Sequence, residues 1–353
     1  MKRREFLGTT ALTAGATLLF PPSRQSLLAQ AATKGMAGAQ GPTAATPKLS
    51  FPTRTAKVEI LFKAPGLSGN GMQCTEEGIW TIDIAGSRTD TPGRCKVYLS
   101  SYEGKKLREL SPEGTGPSGV GLDADNSSIW IGSTYSREII RSDAKTGETI
   151  EKHFTPGAGV IYRRATDIAA RPDTYGAKAR AEAGIPARGG AGGGRRGGGD
   201  GDAAGGGGRG QTTSDGLGVG RGGAVAGNPG PPAPGTGAHG QQTHNGKLWM
   251  AVPPGRMIYR LDPKTWTVEH MFPTVGFRPH GIGVESPDAR HLWESDTNMG
   301  GFFKRDMVTG EIVDAIILPD GSPFPHGMSV FKGYIYWVDD IGNGIAPVCR
   351  TKI

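Results

Sequence analysis

Short apolar runs alternate with polar turns along this chain, and one arrangement recurs. A polar residue and a glycine open an alternating run, a turn follows, and a second run carries an aromatic residue. The phrase reads Asn70-Gly71-Met72 with Ile79-Trp80, Ser118-Gly119-Val120 with Ile129-Trp130, and His239-Gly240-Gln241 with Leu248-Trp249. It returns as His280-Gly281-Ile282 with Leu292-Trp293 and as His326-Gly327-Met328 with Ile335-Tyr336. Alternation at period two marks strands that bury one face. A second phrase follows four of these: Arg141-Ser142-Asp143 to Gly147, Arg260-Leu261-Asp262 to Trp266, Lys304-Arg305-Asp306 to Gly310, and more loosely Tyr98 to Gly104. Together the two phrases supply four strands per unit.

The spacing turns the pattern into an architecture. His239 and His280 are 41 residues apart, His280 and His326 46, and Asn70 and Ser118 48. Propeller blades of four strands repeat at about 40–45 residues. The expected fold is an all-β propeller with five visible blades; a β-sandwich would not reuse one glycine and one aromatic at every turn. A sixth, degenerate blade is the alternative, placed in residues 160–186, where Thr166 to Ala169 reads as a worn inner strand and 174–183 as a short helix. The last unit has only three strands, and residues 57–62 form a strand with no hairpin partner. The N-terminal strand is therefore expected to complete the last blade and close the ring, leaving no long edge.

Composition changes the picture at both ends and in the middle. Lys2-Arg3-Arg4-Glu5-Phe6-Leu7 before a short apolar run, with Ala29-Gln30-Ala31 as a small-x-small cleavage site, is similar to a twin-arginine signal peptide. Residues 1–31 are read as that signal, 32–55 as a flexible lead-in, and 56–353 as one propeller domain. The expected location is periplasmic or secreted, with no stable membrane span once the signal is removed. Residues 189–237 are dominated by Gly, Ala, Pro and Arg and bury too little to repay ordering, so they are read as a disordered insertion. The net charge of +7 draws on the signal and on this tract. With export and no basic, aromatic-laced face, nucleic acid is excluded as a partner. The chain is expected to work as a monomer on a small-molecule ligand or an exported protein. Cys74, Cys95 and Cys349 leave an odd thiol; a Cys95–Cys349 bridge and three small core residues are the two readings.

Strand direction places Asn70, Ser118, His239, His280 and His326 at one mouth of the channel. Three residues past each aromatic, at the same mouth, stand Asp83, Ser133, Val252, Asp296 and Asp339. Three imidazoles and three carboxylates on one face suit a base and a hard-cation site; the same histidines also suit bracing between blades. Arg278 fits either an anionic substrate group or a salt bridge. Trp80, Trp130, Trp249 and Trp293 read as inter-blade core, and Trp266, replacing glycine in a turn, as a contact or an edge cover.

The repeated Pro-His-Gly, the Leu-Trp pair and the Asp-x-x-Thr-Gly-Glu turn resemble the streptogramin (virginiamycin B) lyase-like propellers and, more loosely, the gluconolactonase-like ones. That resemblance implies a channel-mouth histidine acting as base and a Mg²⁺ or Ca²⁺ ion. It puts His280 in the role of base and Glu294 on the metal side; position at the mouth adds His326 and His239 to the catalytic candidates and Asp296, Asp339 and Asp83 to the metal candidates. Arg278, Asn70 and Asn298 would meet the substrate. Arg278 departs from the pattern, since an acid is expected there. Two functions follow from the residues: a divalent-cation-dependent lyase or lactone hydrolase acting on a small cyclic ester, and a propeller that binds a ligand or protein without turnover.

Overall fold

The structure is a computed structural model. It describes residues 50–84, 94–159, 174–184, 210–212, 218–220, 237–276, 278–286, 288–339 and 344–353. The signal-like segment 1–31 and most of the 189–237 tract lie outside these residues, as does Thr166 to Ala169.

Five four-stranded blades form a ring. Blade 1 is β3 (Gly69–Cys74), β4 (Ile79–Asp83), β5 (Lys96–Ser100) and β6 (Lys106–Leu110). Blade 2 is β7 (Pro117–Leu122), β8 (Ser128–Ser133), β9 (Glu138–Asp143) and β10 (Thr149–Phe154). Blade 3 is β13 (Gly240–His244), β14 (Lys247–Val252), β15 (Met257–Asp262) and β16 (Thr267–Pro273); blade 4 is β17 (Pro279–Val284), β18 (His291–Asp296), β19 (Gly301–Asp306) and β20 (Ile312–Ile317). Blade 5 has β21 (Met328–Phe331), β22 (Tyr334–Val338) and β23 (Pro347–Lys352), and takes its outer strand from β2 (Glu59–Lys63). The N-terminal strand thus closes the ring as expected, with Glu59 opposite Arg350 and Lys63 opposite Pro347.

Five hydrophobic clusters occupy the five seams, and each holds one aromatic of the repeated phrase: Trp80, Trp130, Trp249, Trp293 and Tyr336. All five are buried. The basic residue of the second phrase lies over the indole, with Arg141 5.3 Å from Trp130, Arg260 5.7 Å from Trp249 and Lys304 5.7 Å from Trp293. Each such pair adds about 0.5–1 kcal/mol when exposed and shields the ring from water.

The sixth-blade alternative is corrected. No sixth blade stands between blades 2 and 3, because β7 abuts β13 directly: a Cβ on Gly119 would run into the His239 carbonyl. The intervening chain holds α1 (Thr174–Glu182) and a small hairpin of β11 (Gly210–Thr212) with β12 (Gly218–Gly220), inside the tract read as structureless. The lead-in is partly ordered too. Within it, β1 (Thr53–Thr55) adds to blade 4 in parallel with β20, its Arg54 bonding both oxygens of Asp314. The cysteines are all free and buried, with Cys95 in the seam of blades 1 and 2 and Cys349 in that of blades 4 and 5. Burial pushes the Cys95 thiol up to about 12.

Trp266 covers a blade edge. It sits at φ 54°, where the matching turns of blades 2 and 4 have Gly147 and Gly310. Its ring stacks on His153 at 4.0 Å, and its Nε1 donates to the Phe154 carbonyl at 2.9 Å.

Removing residues 57–63 should leave β23 as an open edge. The expected outcome is concentration-dependent aggregation in light scattering; a soluble truncation with unchanged melting temperature would refute the closure.

Candidate functional site

The repeated polar-Gly pair has a geometric cause. At Gly71, Gly119, Gly240, Gly281 and Gly327 an added Cβ would lie 2.0–2.8 Å from backbone atoms of the next blade's entry segment. These five glycines let the five inner strands close on one another. The space they line, with Met72, His239, His280 and Met328, is too narrow to hold a water molecule. The residue before each glycine is the last one on the mouth side of this constriction. In blades 1, 2 and 4 the pairing register shifts at that residue, at Asn70, Ser118 and His280. Such bulges re-aim a side chain out of the ladder.

His239, His280 and His326 form a row along three successive blades. Ring centroids are 4.6 Å apart between His239 and His280 and 4.7 Å between His280 and His326. All three are buried, His280 at 2% exposure. His280 Nδ1 meets Thr297 Oγ1, whose proton goes to the Pro325 carbonyl at 2.8 Å. Thr297 has one proton to give, so Nδ1 of His280 is the donor and Nε2 carries the lone pair. Burial holds this imidazole well below its ordinary range, and His239, Arg278 and His326 push the same way. His326 places Nε2 3.4 Å from Arg278 Nη2 and Nδ1 3.5 Å from Asp339.

The depressed His280 gives a pH test. The folded form resists a proton that the unfolded chain accepts near 6.5, so its contribution is present above that pH and lost as pH falls. The wild type should lose up to about 1.4 kcal/mol per pH unit that His280→Gln does not lose. The stability gap between the two, from urea unfolding, should narrow between pH 7.5 and 5.5. A constant gap would mean that His280 takes its proton while folded.

The carboxylates do not meet the histidines as a cation site. Asp83 accepts the Leu67 and Ser68 amides at 2.7 and 2.9 Å, Asp296 those of Arg278 and Met299 at 2.9 and 3.0 Å, and Asp339 that of Phe324 at 2.8 Å. Ser133 does the same for Thr115 at 2.8 Å. This position pins the loop entering its own blade in four of the five; blade 3 has Val252 there. Glu294, fully buried, lies in the seam of blades 3 and 4, where it accepts from the Val275 amide and from Arg305. Burial pushes Glu294 up to about 7 against the pull of Arg305, and burial likewise raises Asp296 against its amide donors. Among the described residues no group of three or more His, Cys, Asp or Glu is arranged to hold a metal. Lone pairs already turned to N–H donors do not fit Mg²⁺ or Ca²⁺, which need six or more oxygens directed at one point.

Of the substrate-side candidates, Asn70 is buried before Gly71, while Arg278 and Asn298 are half-exposed at the mouth of blade 4. The sequence reading missed Thr297, which orients His280, and Arg305, which holds Glu294. The signal for Arg305 was present: an arginine where blade 3 has Leu261, diagonal across the strand pair from a glutamate where blade 3 has Met250.

No protein-family model matches the chain, and no curated protein matches it in sequence. Solved structures do. A catalytically inactive variant of virginiamycin B lyase from Staphylococcus aureus, with quinupristin, is 15% identical over 83% of this chain and 69% of its own, at a TM-score of 0.38. Glutaminyl cyclase of Myxococcus xanthus is 9% identical over 86% of this chain and 100% of its own, at 0.46. Hydrazine synthase of Kuenenia stuttgartiensis is 10% identical over 78% of this chain and 57% of its own, at 0.38. Likeness at this level carries nothing about the chemistry. Among the described residues no helix is long and apolar enough to cross a membrane.

Proposed function

We propose that this chain is an exported five-bladed propeller whose histidine-floored mouth binds a ligand without turning it over. The observation that supports this best is the employment of the candidate catalytic groups. Asp83, Asp296 and Asp339 each pin a loop of their own blade, and Glu294 is paired to Arg305. His280 reaches through Thr297 to the carbonyl before His326, a link from blade 4 to blade 5. A metal-assisted lyase or lactone hydrolase needs carboxylates free for the ion and an imidazole within reach of substrate. The second reading, a metal-free base at the mouth, draws on one observation, the lone pair on His280 Nε2.

Metal analysis of the purified mature protein separates the binding reading from a metal-assisted enzyme, with His280→Ala and Asp296→Ala alongside. The binding reading expects no stoichiometric Mg²⁺ or Ca²⁺ and a loss of stability in both variants. Stoichiometric metal that Asp296→Ala loses while still folded would overturn it in favour of the enzyme. Export is tested separately: Arg3→Lys with Arg4→Lys should trap the precursor inside the cell, and normal export of that double variant would remove the basis for a periplasmic site.

A further inference from the structure

We infer that the ligand of this mouth is an organic anion, a small molecule with at least two carboxylates, received by Arg278 and Asn298 on blade 4 and by Arg137 on blade 2. The inference rests on the binding reading above and adds the chemical class.

Several arginines of the ring are matched to acids. Arg141 pairs with Asp123 and Glu151, Arg260 with Glu269, Arg290 with Asp306 and Arg350 with Glu59, all on strands or at the opposite end. Arg137 and Arg278, both at the mouth end, have no acidic partner among the described residues. Arg278 is half-buried with its guanidinium 3.4 Å from His326; it makes no ion pair among the described residues, and Asp296 attracts it only from a distance. Arg137 occupies the turn between β8 and β9 at φ 63°, where the matching turns of blades 3 and 4 have Arg256 at φ 51° and Gly300 at φ 60°. A long side chain kept at a position that favours glycine points to use of that side chain.

Unmet donors point the same way. Arg137 Nε and Asn298 Nδ2 are both shut off from solvent and have no hydrogen-bond partner among the described residues. Buried polar atoms without partners are rare and call for a missing one. Both atoms are donors, so the missing partner is an acceptor. Asn298 adjoins Thr297, whose amide bonds the Arg278 carbonyl, so the two donors of blade 4 are neighbours. Arg137 lies by Gly237, two residues before His239, whereas Arg278 meets His326. The two cations therefore flank opposite ends of the histidine row. A planar carboxylate matches the guanidinium fork, and two cations at separate ends ask for two carboxylates.

Isothermal titration of the folded, full-length mature protein with glutarate, citrate and acetate at fixed ionic strength tests this, with polyglutamate as a macromolecular arm. A di- or tricarboxylate should bind one to one and more tightly than acetate. Arg278→Gln should weaken it about tenfold or more, as loss of a charge-assisted pair does. Arg137→Gln should weaken glutarate or citrate while leaving acetate unchanged. Circular dichroism confirms that each variant is folded. No binding of any small carboxylate, binding indifferent to Arg278→Gln, or binding of polyglutamate alone would each overturn the proposal. None of these results alters the metal analysis, so failure here is distinct from failure of the binding reading.

Discussion

Gly327→Ala should destabilise the protein more than any other single methyl added to the chain. The new Cβ would lie 2.0 Å from the Asn70 carbonyl oxygen and 2.6 Å from Gly71 Cα. Both are backbone atoms of the neighbouring inner strand, so no side chain can rotate away. Relief requires blades 5 and 1 to separate, which opens the seam containing Met72, Tyr336 and Val338. Overpacking of a close-packed core costs about 1–3 kcal/mol, and more where backbone must move. The effect here should exceed 3 kcal/mol by that argument, read as a drop in the urea midpoint at unchanged slope. Gly333→Ala serves as the control, since nothing lies near its Cβ and only its φ of 77° opposes the change. If Gly327→Ala costs no more than Gly333→Ala, the inner strands are not packed as described.

Glu294→Ala should cost about 3–5 kcal/mol, the usual result of stranding one member of a buried ion pair. Arg305 is 1% exposed at its side chain and Glu294 0%. Arg305 also donates to the Pro273 and Gly310 carbonyls, so it ties blade 3 to a turn of blade 4. Blade 3 itself shows the apolar substitute, with Met250 and Leu261 at the matching positions. The double variant Glu294→Met with Arg305→Leu should therefore be far less damaged than Glu294→Ala. Chemical unfolding of the two variants checks this. A double variant as unstable as the single would show that the bonds of Arg305 to carbonyls outweigh its charge pairing. A Glu294→Ala protein of wild-type stability would show that the pair contributes nothing.

What could be read from the sequence follows from how local each constraint is. Glycine before an apolar run records a close approach of backbones, and an aromatic on the next strand records a seam. Both recur in every blade, so the ring was legible. The closure by β2 was legible because the last blade lacked a strand. β1 was not, since three residues after Pro52 carry no periodic signal. The roles of the aspartates were hidden for a physical reason. Asp83, Asp296 and Asp339 bond amides 15 to 18 residues away across a loop, and a carboxylate that caps a loop is spelled like one that binds an ion. Glu294 was misplaced by its phase in β18, where it lies opposite Ile282 and points into the seam. The histidine row was found by position alone; its partner Thr297 was missed although blade 2 repeats it, with Thr134 donating to the Ala238 carbonyl as Thr297 does to Pro325.

Joining β2 to β23 has a consequence for the order of events during synthesis. Glu59 and Arg350, which bond across this last pair of strands, are separated by 291 positions. Four blades can collapse one after another as they leave the ribosome, since their strands are neighbours in sequence. The fifth cannot, because its inner strands are made last and its outer strand first. Until the final residues emerge, the nascent protein is an open arc with β2 waiting unpaired at one end and blade 4 uncovered at the other. Completion is thus a single late step, and any factor that guards this chain while it is being made has that arc to protect.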